Sequence, residues 1–168
     1  MTPEIDFLKR IYVFQDLTPE ETEAASQILT PCKFEAGATI MKEGEEGKTL
    51  YIIAAGEVLI SKSLTMRFAE DDYRETEKTM SKLKAKDYAV FGEMALITED
   101  KRSATVTAAT DCVLYETSRE DFLRLAQERP ALGYKVMFRL AEMLSKRLKT
   151  TGEDVIHLTT ALSIALSQ

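Results

Sequence analysis

The hydrophobic residues of this chain change period twice, and that change governs what it can fold into. Between residues 32 and 117 the apolar side chains follow a period of two, as in strands with one buried face. Phe34, Ile40, Tyr51, Ile53, Val58 and Ile60 lie on short runs of this kind. Glycines separate the runs, at Gly37, Gly44, Gly47 and Gly56. Each is expected to supply a left-handed turn, a conformation that residues with a Cβ adopt only with strain. Further strands are expected at Ala104–Ala108 and Cys112–Glu116. Short strands with turn signals every ~8–12 residues point to a sandwich or a barrel. The stretch 62–87 holds a dense charge cluster, Arg67 to Lys78, read as an exposed hairpin extension with a solvated surface.

On both sides of this region the period is helical. Ile5, Leu8, Ile11 and Tyr12 recur at helical spacing. Thr18-Pro19-Glu20-Glu21 opens a second helix with a capping box, and Ala24, Ala25, Ile28 and Leu29 are expected to face inward before the stop at Pro31. Ser118-Arg119-Glu120-Asp121 is a second such box. Pro130 then starts a long helical pattern with Val136, Met137, Leu140, Leu144 and Leu148 on one side. The organisation is one domain over 1–168: helices in 1–31, a β-barrel in 32–117 and helices in 118–168. Its fold class is mainly β with flanking helices.

Inventory removes several chemistries. A chain of 168 residues buries enough surface (~70% at this size) to need no metal or disulfide staple. Lys and Arg number 22 against 28 Asp and Glu, a net charge of −6, which argues against a nucleic-acid-gripping surface. The one histidine, His157, cannot build a His-rich metal site, and Cys32 and Cys112 cannot make a four-cysteine one. Both cysteines are expected to be buried small apolar residues in a reducing compartment. With no signal-peptide pattern and no apolar run of ~20 residues, a soluble cytoplasmic protein without membrane association is expected.

The segment richest in chemistry runs from Phe91 to Val106. Gly92 permits close backbone approach, and the residues after it can close one short helical turn whose free N–H groups favour an anion. Arg102, beyond a tight loop, can fold back onto the same anion with bidentate geometry. The same spacing also suits an arginine at a strand entrance, paired on the surface with Glu93 or Asp100.

This segment resembles the phosphate-binding cassette of the cyclic nucleotide-binding domains, the type found in the catabolite activator protein and in regulatory subunits of cyclic AMP-dependent kinase. The likeness extends over nearly the whole chain, through Phe14-Gln15-Asp16-Leu17 and the Gly37–Gly56 region with Leu50-Tyr51-Ile52-Ile53. It implies a double-stranded β-helix, or jelly-roll, barrel with N-terminal helices and a long C-terminal helix. It also implies a ligand in place of a cofactor: cyclic AMP, with cyclic GMP second. Arg102 would pair with the exocyclic phosphate oxygens and Glu93 would accept from the ribose 2′-hydroxyl. Gly92, Met94, Ala95 and Leu96 would line the pocket, with N–H groups of residues 94–96 aimed at phosphate and sugar. Ser103 would offer its hydroxyl to phosphate or base. One departure precedes the cassette: Lys86-Asp87-Tyr88-Ala89-Val90 replaces a shorter entry and suggests a bulged strand. An enzyme is not expected, because Glu93 is a lone acid without nucleophile, base partner or metal. The alternative reading is a structural or protein-interaction module that keeps the fold and binds no nucleotide.

Leu148, Thr151, Val155, Leu158, Leu162 and Ala165 follow at spacings of 3, 4, 3, 4 and 3, a heptad seam expected to form a homodimer. His157 lies beside it and is expected to be exposed. The resemblance places Thr151 against the nucleotide base, with Gly152 standing where a serine from the other subunit would act. Gly152 weakens the helix by about 1 kcal/mol and offers a hinge. The sequence ends at Gln168, so no groove-reading domain and no direct nucleic-acid binding are expected, and an output partner protein is left open.

Overall fold

Helix α1 (Ile5–Leu8), a 3₁₀ turn at Tyr12–Phe14 and helix α2 (Pro19–Gln27) lead into the strands. These are β1 (Thr30–Phe34), β2 (Thr39–Met41), β3 (Thr49–Ala55), β4 (Glu57–Arg67), β5 (Tyr73–Lys84), β6 (Val90–Phe91), β7 (Thr105–Ala108) and β8 (Cys112–Ser118). A one-turn helix α3 (Met94–Ile97) separates β6 from β7, and α4 (Arg119–Glu128) and α5 (Pro130–Leu166) follow β8. The structure, a computed structural model, describes residues 3–67 and 73–167, the side chains of 64–77 excepted.

The strands form two antiparallel four-stranded sheets, ordered β1-β8-β3-β6 and β2-β7-β4-β5. The first four strands alternate between the sheets, as the jelly-roll expectation requires. Ile53, Phe91, Cys112 and Leu114 from one sheet meet Ile40, Val58, Val106 and Ala108 from the other in a shared core. The outer face of the first sheet is covered too. Leu50, Ile52 and Val90 pack against Leu8, Ile11, Phe14, Phe122, Leu132, Val136 and Leu140 of the flanking helices. Burial on both faces explains why β3 reads as a continuous apolar run and not as a strict alternation.

The hairpin extension is present. β4 pairs with β7 only over Val58–Ser61, whereas its pairing with β5 runs on to Arg67 and Tyr73. The tip at 68–72 and the side chains of 64–77, which hold most of the charge cluster, lie outside the described residues.

Local signals set the helix starts. Thr18 Oγ1 accepts from Glu21 N–H at 3.2 Å while the Glu21 carboxylate accepts from Thr18 N–H at 2.8 Å, the expected reciprocal box. At Ser118 only half of the box forms: Ser118 Oγ accepts from Asp121 N–H at 3.0 Å, and the Asp121 carboxylate takes the Ser118 hydroxyl at 2.6 Å. An aspartate is one methylene shorter than the glutamate that reaches back to the cap N–H.

Four expectations change. The first helix breaks after Leu8, because Leu8, Ile11, Val13, Phe14 and Leu17 are all buried and one continuous helix would point them in divergent directions. Gly37, Gly44 and Gly56 take the left-handed φ values expected of them, 88°, 81° and 89°, but Gly47 does not; its reason lies in the site described below. The longer entry to the cassette is absorbed without a bulge, by a 3₁₀ turn at Ala85–Asp87 and a left-handed Tyr88 (φ 49°). The cysteine expectation holds only for Cys112, which is buried; Cys32 is half-buried.

The inward face of α5 is shorter than its sequence pattern. Leu132, Val136 and Leu140 are buried, Met137 and Leu144 are half-buried, and every described residue from Ser145 on is exposed, Leu148 and His157 included. Lys146 and Arg147 still reach back to the rest of the chain, and beyond them, at 1.5 Å per residue, roughly 30 Å of this helix stands clear. Among the described residues no helix is long and apolar enough to cross a membrane.

Candidate functional site

Gly92 turns the chain as it leaves β6. Its φ of +73° lies in the left-handed region. A Cβ there would stand 2.8 Å from the Thr49 carbonyl oxygen and 3.0 Å from Arg102 Nη1, so conformation and close approach both demand glycine. The turn that follows closes with Ala95 N–H on Gly92 O and Leu96 N–H on Glu93 O, each 3.1 Å. This corrects the expectation that the N–H groups of 94–96 all face a ligand. A turn this short consumes two of them internally, and only that of Met94 has no protein acceptor among the described residues.

Glu93 is 6% exposed. Its Oε1 accepts from Nη1 of Arg147 on α5, and Arg147 Nη2 donates to the Val90 carbonyl oxygen at 3.2 Å. Oε2 has no protein donor among the described residues. The long helix is thereby tied directly to the cassette.

Arg102 comes from the opposite side. Its backbone is clipped to the loop after β2: Arg102 N–H donates to Glu45 O at 2.8 Å and Gly44 N–H to Arg102 O at 3.0 Å. Nη1 donates to Thr49 O at 2.8 Å, and the guanidinium carbon stands 6.0 Å from the Tyr51 ring centre. Among the described residues no carboxylate pairs with it, so the alternative of a surface ion pair with Glu93 or Asp100 is not formed. Burial pushes the Arg102 pKa down, with the Tyr51 phenol acting the other way, yet an arginine remains charged at neutral pH. A half-buried cation with unused donors is a site for an anion.

Gly92, Glu93, Met94, Ala95, Arg102 and Ser103 line one cleft, of about 340 Å³ including its open mouth. Met41, Gly47, Asp100 and Lys101 complete its wall. Two expected site residues are elsewhere. Leu96, 3% exposed, points from the far side of the one-turn helix into the core beneath α4 and α5. Thr151 is exposed, and its hydroxyl donates to the Arg147 carbonyl oxygen at 2.9 Å, so its partner is its own helix. Sequence reasoning missed Arg147, although it lies one turn before Thr151 on the same face of α5.

A jelly-roll body, an unpaired arginine and a buried glutamate around one glycine-led turn define a class of protein. Residues 31–129 match the family model for the cyclic nucleotide-binding domain, and the chain belongs to that family. It is 31% identical over 137 residues, 82% of its length, to the cyclic AMP receptor protein of Thermus thermophilus, of which it spans 57%. It is 34% identical over 122 residues to the cAMP-dependent protein kinase regulatory subunit of Dictyostelium discoideum, covering 71% of this chain and 35% of that one. The crystal structure of Thermus thermophilus catabolite activator protein superposes with a TM-score of 0.71 at 30% identity, covering 88% of this chain and 62% of that one. The chain thus spans less than two thirds of the length of each of these relatives.

Proposed function

We propose that this chain is a cyclic nucleotide sensor that takes cyclic AMP in preference to cyclic GMP. One observation carries the reading: the Arg102 guanidinium is half-buried, open to the cleft and without a carboxylate partner among the described residues. It would hold the exocyclic phosphate oxygens in bidentate fashion. Glu93 Oε2 would accept from the ribose 2′-hydroxyl, Gly92, Met94 and Ala95 would line the pocket, and the exposed Ser103 would face phosphate or base. The Ser103 hydroxyl is what keeps cyclic GMP second and not excluded. The chain itself is not an enzyme in this reading, and its place is the cytoplasm.

Output runs through α5. Because Arg147 holds Glu93, a ligand that engages Glu93 alters the contact that ties this helix to the cassette. The exposed row Leu148, Val155, Leu158 and Leu162 supports a homodimer through the same helix. Thr151 reaches a bound base only if α5 shifts or a second copy packs alongside. An output partner protein would read that shift, with no direct contact to nucleic acid or membrane.

Isothermal titration with both nucleotides is the test. Arg102→Leu is expected to weaken cyclic AMP binding about 100-fold or more while leaving the fold intact, since charge-assisted bonds contribute roughly 1.5–3 kcal/mol each. If neither nucleotide binds the unaltered chain or shifts its melting temperature, the reading fails in favour of a module that keeps the fold for protein interaction alone.

A further inference from the structure

The Arg102 side chain passes through a slot built by residues that no part of the cassette motif contains. Gly47 lies against its shaft: a Cβ at position 47 would stand 1.9 Å from Nε and 2.4 Å from Cζ. Gly47 has no left-handed φ, so conformation does not explain a glycine here, whereas the missing side chain does. Beneath the guanidinium lies Tyr51, 8% exposed. Its ring stacks on Phe91 with centroids 5.2 Å apart and 20° between planes, and its phenol lies close enough to the Glu116 carboxylate to be raised in pKa by it, after burial. Phe91 and Glu116 are the cross-strand partners of Tyr51 on β6 and β8, so the ring is fixed from both neighbouring strands. The Thr49 carbonyl holds Nη1 from one side.

We infer that Gly47 and Tyr51 are positioning residues for Arg102, the glycine opening the slot and the ring forming its floor, so that together they set the chain's affinity for the cyclic phosphate. The inference rests on the nucleotide-binding reading above. Its physical basis is preorganisation. A long flexible cation loses several rotamers when it grips a phosphate, and a site that has already restricted them binds more tightly. A ring face within about 6 Å also attracts the cation without consuming any of its N–H donors. One donor is spent on Thr49 O, and the others have no acceptor among the described residues.

Gly47→Ala isolates the effect. The clash is with the far end of a flexible side chain, so the fold survives and Arg102 moves. Cyclic AMP titrations on the unaltered chain, Gly47→Ala, Tyr51→Leu, Arg102→Ala and the double variant Gly47→Ala/Arg102→Ala make the measurement. We expect Gly47→Ala and Tyr51→Leu each to weaken binding at least tenfold, and Gly47→Ala to cost less than threefold when Arg102 is already alanine, which has no side chain in the slot to displace. The preference for cyclic AMP over its 2′-deoxy analogue should survive Gly47→Ala, since the sugar contact is elsewhere. In the ligand-free protein the Arg102 Nε–H resonance, assigned by its loss in Arg102→Ala, should shift in Gly47→Ala. Affinity unchanged in both single variants, or an equal loss from Gly47→Ala in the Arg102→Ala background, overturns the inference. An unaltered chain that binds neither nucleotide overturns the underlying reading instead, and an unmoved Arg102 resonance overturns the slot even then.

Discussion

Arg147→Met tests the contact that ties α5 to the cassette. The substitution keeps most of the aliphatic stem and removes the guanidinium. It leaves the Glu93 carboxylate, whose side chain is 8% exposed, without its donor. Breaking a fully buried pair costs about 3–5 kcal/mol, because one charge is left uncompensated, while exposed pairs are worth about 0–1 kcal/mol. Arg147 is 46% exposed, so the solvent already screens its side of the pair. The expected loss therefore falls between these limits, at about 1–2 kcal/mol, with the lost bond to Val90 O included. For a chain of this size that lowers the melting temperature by about 2–8 °C. Urea unfolding followed by circular dichroism gives the free energy, and a cycle with Glu93→Gln apportions it. The double variant should be more stable than Arg147→Met alone, since a neutral amide leaves no buried charge. An Arg147→Met protein as stable as the unaltered chain, or losses that add with no coupling, refutes the reasoning.

Three further outcomes are expected. Glu93→Gln should weaken cyclic AMP binding more than it weakens binding of the 2′-deoxy analogue, measured by titration; equal losses would assign Glu93 to holding Arg147 alone. Val155→Glu with Leu158→Glu should give a monomer by light scattering with lower nucleotide affinity, and an unaltered chain that is monomeric at ~100 μM removes the helix seam. Burial pushes the Cys32 thiol up to about 11, so the protonated form persists at pH 8 and iodoacetamide should leave Cys32 unmodified in the folded protein while alkylating it once unfolded. The sign is that of a raised pKa. Stability is unaffected by this thiol below its unfolded value and falls as pH rises from there toward 11, a decline that thermal melts across that range would show.

Legibility in the sequence tracked the range of the interaction. The Thr18 cap, the left-handed Gly37, Gly44 and Gly56, the strand runs and the glycine-glutamate-arginine spacing of the cassette were readable because each is decided within a few residues. So was the apolar heptad row on α5, since such a spacing shows in any helix that carries it, and its exposure is what the structure adds. The break after Leu8 was not readable, because helical spacing persists there while five buried side chains must reach one core. Nor was the reason for Gly47, which is a side chain 55 positions away in sequence. The partner of Glu93 lies 54 residues on, at Arg147. Thr151, on the same helix, turned out to bond its own backbone. Turns and caps answer to local sterics and neighbouring donors. Which arginine meets which carboxylate, and where a missing Cβ makes room, depends on how the sheets and α5 come together, and no local spacing encodes that.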